Sequence, residues 1–256
     1  LNKYNFFLFD FHYYLIVSIC VLLFSISKSG FSGGGLALIA VTVLSINFGP
    51  LKAISILLPL LLVCDLMAGY LNRKYIDKKV ILGLVPFTLL GVILGTLLFK
   101  IIDLNMISIF IGSISLAYVF FNYLMTKSIL NSVPFNGSKS FWGTLSGFTS
   151  FCLHSGGLPM QTYLLSQYRK KTEFVATLVF SMAIINVSKI VPYFYLEILS
   201  LKQILEYMLF SPIAIGGVLL GNWMNKKVSD KSFFLIINIF IVVASMRLIY
   251  DGFNAL

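Results

Sequence analysis

Long apolar runs, separated by short charged or turn-forming stretches, cover almost the whole chain. A helix needs about 20 apolar residues to cross the ~30 Å hydrocarbon core of a bilayer. Only 11% of the residues are charged, against about 25% in soluble domains, so the chain lacks the polar side chains that a water-facing surface needs. This pattern predicts an all-α polytopic membrane protein with a single transmembrane domain over 1–256, and it excludes a soluble enzyme or a nucleic-acid-binding module. The runs lie at 13–27, 34–47, 51–71, 80–99, 104–125, 141–154, 157–168, 174–196, 203–224 and 232–250.

The two halves of the chain carry the same glycine and proline pattern. Pro86–Gly95 and Pro212–Gly221 share a P-x4-G-x3-G pattern at an offset of 126 residues. Ser32–Leu36 and His154–Leu158 share a glycine run at an offset of 122 residues. Because self-similarity at a fixed offset indicates a structural repeat, we predict two five-segment repeats, at about 13–125 and 141–250, joined by a linker at 126–140. The G-x3-G spacings predict close helix packing.

The loop charges indicate that the two repeats are inverted. Short cytoplasmic loops collect Lys and Arg. The loop after the third run of the first repeat has four basic residues against one acidic residue, whereas its counterpart in the second repeat has one Lys against two Glu. In the following loops the second repeat is the more basic one. All the basic loops can lie on one side of the membrane only if the two repeats have opposite orientations. This arrangement places both termini outside. We therefore assign the net charge of +10 to topology, and we predict no nucleic-acid partner.

The second run of each repeat is too short for an ordinary crossing. Twelve residues, as in 157–168, make a helix of about 18 Å, well below the ~30 Å core. Since the topology requires the first two runs of each repeat to begin and end on one side, we predict that each repeat starts with a broken or re-entrant helical hairpin. The bends would lie at Ser32–Gly35 and His154–Gly157, with both tips near the midplane. Two complete crossings with one thin helix are the alternative.

The two bends are the predicted substrate site. Glycine allows a sharp bend, and a helix that follows it points unpaired N–H groups, with their partial positive charge, back at the bend. Such a helix start suits an anion. Tight helix packing alone would also explain one glycine run, but its recurrence in both repeats favours binding. The predicted substrate-binding residues at the bends are Ser32, Gly33, Gly34, Gly35, His154, Ser155, Gly156 and Gly157.

Three charged residues lie within or beside apolar runs: Lys28, Asp65 and Lys189. Ionisable groups in a membrane are costly and mark pathways or partners. Lys28 precedes the first bend, and we assign it to the substrate together with Lys189 and Asn186. Asp65 is assigned to coupling or gating. Asp65 and Lys189 occupy near-equivalent positions on the third runs, so the alternatives are a structural ion pair between them or a proton-responsive gate.

Four features of the sequence occur together: the duplicated proline–glycine pattern, the Gly33–Gly35 bend with Leu36, the helix starts at Ala53 and Ala176-Thr177, and the basic loop at Asn72-Arg73-Lys74. With these features the chain resembles the TauE/SafE sulfite exporter family, from about Tyr13 to Asp251. The resemblance implies ATP-independent transport of a small sulfur-containing anion such as sulfite or a sulfonate. In the second copy the family's usual triple glycine is reduced to Ser155-Gly156-Gly157, preceded by His154 and followed by Pro159.

We therefore expect a secondary transporter in the plasma (inner) membrane that moves a small anion by alternating access, with binding between the two bends. Its partners would be the anionic substrate and the lipid bilayer, with proton coupling and a homo-oligomer left open. No metal or other cofactor is predicted, because the three cysteines lack metal-ligand spacing. The alternatives are an anion channel and, with less support, a membrane-embedded enzyme that uses Cys152 or His154.

Overall fold

The computed structural model describes residues 3–29, 35–99, 138–167 and 171–227, and isolated positions between 101 and 120 and between 242 and 254. Every regular element within the described residues is helical. The first predicted bend falls almost entirely outside this description: Ser32, Gly33 and Gly34 are not among the described residues, whereas Gly35 is the first residue of a helix. The fifth run of each predicted repeat is described only at isolated positions.

Four helices form the described part of the first half. They are α1 (Lys3–Lys28), α2 (Gly35–Phe48), α3 (Pro50–Asn72) and α4 (Lys78–Phe99), with a 3-10 turn at Arg73–Tyr75. The start of α3 follows from two residues. Gly49 has a φ of 85°, a conformation that glycine adopts readily, and Pro50 suits the first helical turn because its missing N–H would have no partner there.

Six helices form the described part of the second half. They are α5 (Lys139–Leu153), α6 (Gly157–Gln167), α7 (Lys171–Ser188), α8 (Ile190–Tyr195), α9 (Leu201–Tyr207) and α10 (Ser211–Lys227), with a 3-10 turn at Met208–Phe210. The apolar runs 174–196 and 203–224 each contain more than one helix. A proline ring clashes with the carbonyl four residues earlier, so Pro192 accounts for the break after Ser188, and Pro212 accounts for the new helix at Ser211.

Within the described residues, five helical spans are long and apolar enough to cross a membrane. This finding confirms the predicted fold class, an all-α polytopic membrane protein. Helices α2 and α6 have 14 and 11 residues, which gives about 21 Å and about 16 Å, so they are as short as predicted against a ~30 Å core. The candidate spans are Phe11–Lys28, Pro50–Tyr75, Lys78–Phe99, Thr172–Tyr195 and Leu201–Met224.

The helix contacts of the two halves correspond to one another. Helix α1 packs on α2 and on α10, and α5 packs on α6 and on α4. The central helices α3 and α7 pack on each other; α3 also contacts α2 and α10, and α7 also contacts α6 and α4. The counterparts are α1 and α5, α2 and α6, α3 and α7, and α4 and α10. When each helix is replaced by its counterpart, every contact named here becomes a contact that is also present.

The G-x3-G faces pack as the sequence predicted. A Cβ atom added to Gly217 would lie 2.6 Å from the Ser25 side chain, and one added to Gly221 would meet Ile26, so residue numbers on α10 and α1 rise together. The two helices therefore run in the same direction. Helices α4 and α5 make the matching parallel contact, in which Gly91 lies against Thr144 and Phe148 and Gly95 lies against Phe151.

The central helices run in opposite directions. Gly69 of α3 lies against Phe180 of α7, and a Cβ atom added to this glycine would lie 3.5 Å from the ring, while Asp65 meets Asn186. Residue numbers along α3 therefore fall as those along α7 rise, which makes the two helices antiparallel. Residues 53–61 of α3 are all buried, so this helix lies at the centre of the described helices.

Candidate functional site

A cavity of about 50 Å³ lies among α1, α2, α3, α5, α6 and α7. One buried water needs roughly 10–15 Å³, and pockets for drug-sized molecules measure roughly 300–1,000 Å³. The cavity therefore suits a few waters or one small ion. Its polar lining consists of Ser27, Lys28, Asp65, Ser150, His154, Ser155 and Gln161, and Gly157 adds backbone.

The cavity brings together residues that flank both predicted bends. Lys28 lies just before the first bend and Ala37 just after it, while His154, Ser155 and Gly157 belong to the second bend. On α3, Lys28 bonds to Asp65 and His154 bonds to the carbonyl of Ile54. The position of both bends near the midplane stays a prediction, since Ser32, Gly33 and Gly34 lie outside the described residues.

Asp65 joins three helices. Its Oδ1 accepts a hydrogen bond from Lys28 Nζ of α1 at 3.2 Å, and its Oδ2 accepts one from Asn186 Nδ2 of α7 at 2.5 Å. The side chain of Lys28 is 15% exposed, and that of Asp65 is 4% exposed. Of the two alternatives drawn from the sequence, the direct ion pair between Asp65 and Lys189 is not formed, since the cation bonded to Asp65 is Lys28.

Lys189 lies behind the cavity at the break between α7 and α8, with none of its surface exposed. Its ammonium donates to the Ser150 carbonyl at 3.1 Å, to Ser150 Oγ at 3.0 Å and to His154 Nδ1 at 2.9 Å. An ammonium has three N–H donors, so these partners use all of them. The positive charge also lies at the C-terminal end of α5, where the helix dipole favours it.

His154 forms the second bend. It ends α5 in the left-handed conformation, with a φ of 54°, and its N–H donates to the Ser150 carbonyl at 3.0 Å. Its Nε2 lies 2.8 Å from the Ile54 carbonyl. A carbonyl can only accept, so Nε2 carries the proton, and Nδ1 of the neutral ring accepts from Lys189. Both ring nitrogens thus hold the bend in place.

The two glycines of the second bend differ in their surroundings. The Gly156 carbonyl accepts a hydrogen bond from Ser146 Oγ at 2.6 Å, and an added Cβ would collide with the Ser146 carbonyl and the Ser150 side chain. An added Cβ at Gly157 would meet nothing closer than Gln161 Nε2, at 3.8 Å. Gly156 is therefore needed for packing against α5, whereas Gly157 leaves space open beside the cavity.

The first turn of α6 points its backbone toward the same bend. N–H groups in the first turn of a helix have no partner within that helix. Gly157 begins α6 and lines the cavity, and Pro159, two residues later, has no N–H to offer. In the cavity lining Lys28 is paired with Asp65, and Lys189 lies behind Ser150 and His154. With Lys189 protonated, the charge around this part of the cavity is positive, which favours a small anion over a cation.

Sequence reasoning missed several of these residues. Ser150 lines the cavity and accepts two of the Lys189 hydrogen bonds, and Tyr193 of α8 donates to the Phe151 carbonyl at 2.6 Å. A signal for Ser150 was present, because it lies 122 residues after Lys28, the same offset that relates the two glycine runs. The Ile54 carbonyl had no signal, since a backbone acceptor leaves no trace in residue type.

The comparisons with known proteins bear on what this site binds. A protein-family model described as "Sulfite exporter TauE/SafE" matches residues 18–248. That stretch includes every residue that lines the cavity and both glycine runs. A search of curated proteins and a search of solved structures returned no match.

Proposed function

The chain belongs to the TauE/SafE sulfite exporter family, and on that premise we propose that it is a secondary transporter of sulfite, a sulfonate or a related small sulfur-containing anion. The observation that carries this proposal is the small cavity beside Lys28, the second bend and the start of α6. Its volume suits an ion of a few atoms, and its surrounding charge suits an anion. The family supports a transporter rather than an enzyme.

Three kinds of donor would hold the anion. Lys28 supplies an ammonium that reaches the cavity, and the start of α6 at Gly157 supplies backbone N–H groups. Ser150 is the third donor. Its hydroxyl oxygen accepts from Lys189, so its own hydrogen can donate to the anion, and the buried charge of Lys189 strengthens that bond. Ser27 and Ser155 also line the cavity, and their hydroxyls donate to the carbonyls of Phe24 and Thr149.

The remaining predicted residues complete the proposal. His154, Gly156 and Lys189 hold the second bend, and Asn186 holds Asp65, so they act by positioning. The assignment of Ser32, Gly33, Gly34 and Gly35 to the substrate stays a prediction, because the first three lie outside the described residues.

Alternating access would arise from two inverted repeats, at about 13–125 and 141–250, that rock against each other around the cavity. Three observations support this arrangement: the contacts that interchange between halves, the parallel packing of α1 with α10 and of α4 with α5, and the antiparallel pair at the centre. A repeat of unchanged orientation would make α1 and α10 antiparallel. The proposal keeps both termini outside, in the plasma (inner) membrane, with each hairpin re-entrant.

Uptake of radiolabelled sulfite into proteoliposomes tests the function. We expect saturable uptake that accelerates when the vesicles are preloaded with unlabelled sulfite, since exchange is the signature of a carrier. Uptake that never saturates would indicate a channel, and chemical conversion of sulfite would indicate an enzyme that uses Cys152 or His154. Vesicles without protein are the control. An imposed pH gradient in the same vesicles tests proton coupling, which remains a prediction.

A further inference from the structure

We propose that Asp65 and the transported anion compete for Lys28, which makes Asp65 a specificity-determining residue that disfavours doubly charged anions. The inference rests on the proposed function, because it concerns the same cavity. The carboxylate of Asp65 holds Lys28, and an entering anion displaces it.

Lys28 is the lysine of this site that an anion can reach. Both Lys28 and Asp65 line the cavity, and the Lys28 side chain keeps 15% of its surface exposed. Lys189 is fully buried, and its three N–H groups are already used by Ser150 and His154. Direct ionic contact with a substrate therefore falls to Lys28.

The two partners of Asp65 differ in burial, and the difference indicates which one can give way. Asn186 is 1% exposed and holds one carboxylate oxygen from α7, whereas the Lys28 side chain is 15% exposed and holds the other oxygen. Lys28 also ends α1 and carries a flexible four-carbon stem, so its ammonium can turn from Asp65 toward the cavity.

An anion that takes Lys28 leaves a carboxylate nearby without its cation. The charged and polar groups that face Asp65 from packed helices are Lys28 of α1 and Asn186 of α7, with Lys189 within electrostatic reach at the end of α7. Helix α2 has no titratable side chain, and α10 has none before Lys226. Repulsion between Asp65 and the anion grows with the anion's charge. The site should therefore prefer a singly charged oxyanion, such as a sulfonate, to a dianion.

The test compares Asp65→Asn with the natural chain in proteoliposomes, using radiolabelled sulfite with methanesulfonate and sulfate as singly and doubly charged inhibitors. We expect Asp65→Asn to lower the half-saturating sulfite concentration by about tenfold, equal to about 1.4 kcal/mol. Inhibition by sulfate should strengthen more than inhibition by methanesulfonate. A merely structural role of Asp65 would not change the ratio between the two inhibitors.

Asn186→Leu supplies a second variant with the opposite expected sign. Leucine has a similar shape but no amide, so the carboxylate loses its anchor and depends more on Lys28, and sulfite affinity should fall. The double variant Lys28→Gln/Asp65→Asn replaces the ion pair by a neutral amide pair, and its affinity should fall below that of the natural chain. Thermal unfolding of each purified variant reports whether it is folded.

The inference is overturned if folded Asp65→Asn binds sulfite no more tightly and keeps the natural ratio between sulfate and methanesulfonate. It is also overturned if folded Asn186→Leu binds sulfite as tightly as the natural chain does. Absence of sulfite uptake by the natural chain would instead overturn the proposed function, so the two failures are distinguishable.

Discussion

In each half, the end of the first helix bonds to a residue on or just after the third helix, but the lysine of this contact comes from a different side in each half. In the first half, Lys28 at the end of α1 bonds to Asp65 on α3. In the second half, Ser150 near the end of α5 bonds to Lys189 at the end of α7. Ser150 lies 122 residues after Lys28, so the cation lies on the first segment of one half and on the third segment of the other.

This difference separates a movable cation from a fixed one. Lys28 is partly exposed and shares a single long bond with a carboxylate, whereas Lys189 is fully buried among three neutral acceptors. A fully satisfied buried group rigidifies its surroundings. We infer that the second half provides the rigid wall of the cavity and that the first half provides the charge that responds to the substrate.

The largest expected effect comes from breaking the fixed contact with Lys189→Met. The variant leaves the Ser150 hydroxyl and His154 Nδ1 without their donor and removes the charge at the end of α5. Each buried group that loses its partner costs roughly 1–3 kcal/mol, so we expect a loss of about 3 kcal/mol or more. Thermal unfolding of the purified protein in detergent measures it.

The double variant Lys28→Met/Asp65→Asn is the matched control, because it removes the other lysine without leaving the Asp65 carboxylate, which is 4% exposed, buried and unpaired. We expect a smaller loss of stability, since the Lys28 side chain is partly exposed, together with a large loss of sulfite binding. Equal destabilisation by the two variants would contradict the division into a fixed and a movable cation.

The second prediction uses neighbouring glycines as a steric pair. Gly156→Ala places a methyl group against the Ser146 carbonyl and the Ser150 side chain, and overpacking of this kind costs about 1–3 kcal/mol. Gly157→Ala has space, with the nearest atom 3.8 Å away, so the fold should tolerate it while sulfite affinity falls. Unfolding temperature and sulfite uptake, measured on both variants, separate the two effects. A stable Gly156→Ala variant would show that the bend can move away from α5.

The third prediction tests how His154 holds the second bend. His154→Asn keeps a residue that tolerates the left-handed conformation but loses the ring's bond to the Ile54 carbonyl, so we expect a loss of about 1–2 kcal/mol in unfolding free energy. His154→Ala loses the same bond and adds the strain of a positive φ, so it should be less stable by about a further 1 kcal/mol. Equal stability of the two variants would mean that the backbone has relaxed out of this conformation.

Much of this architecture was readable from residue patterns. Apolar runs and glycine spacing predicted the helices, the short second helices and the packing faces of α4 and α10, because these features depend on which residues are small or apolar. A proline within an apolar run gives a weaker signal, because Pro59 and Pro86 lie inside α3 and α4, whereas Pro192 and Pro212 lie near the starts of α8 and α10.

The site was harder to predict because its contacts join distant parts of the chain. Charge and repeat position suggested that Asp65 and Lys189 form a pair. In the structure Asp65 bonds to Lys28 of α1, and Lys189 bonds to Ser150 of α5. Lys28 was assigned to the substrate, but nothing in the sequence indicated that Asp65 would hold it. Which of several lysines faces a carboxylate depends on the rotation of each helix about its axis, and residue type does not specify that rotation.

The smallest expected effect comes from Tyr193→Phe, which tests whether the fixed wall is one cooperative unit. The Tyr193 hydroxyl donates to the Phe151 carbonyl at the end of α5, beside the carbonyl that Lys189 holds. Removing one such bond costs about 1 kcal/mol, while Tyr75→Phe at an exposed position should change stability by less than about 0.5 kcal/mol. Unfolding measured on Tyr193→Phe, Lys189→Met and the double variant gives the coupling between them. Additive losses would mean that lysine and tyrosine hold the end of α5 independently, whereas a double loss no larger than that of Lys189→Met would show that Tyr193 contributes only while Lys189 keeps the bend in place.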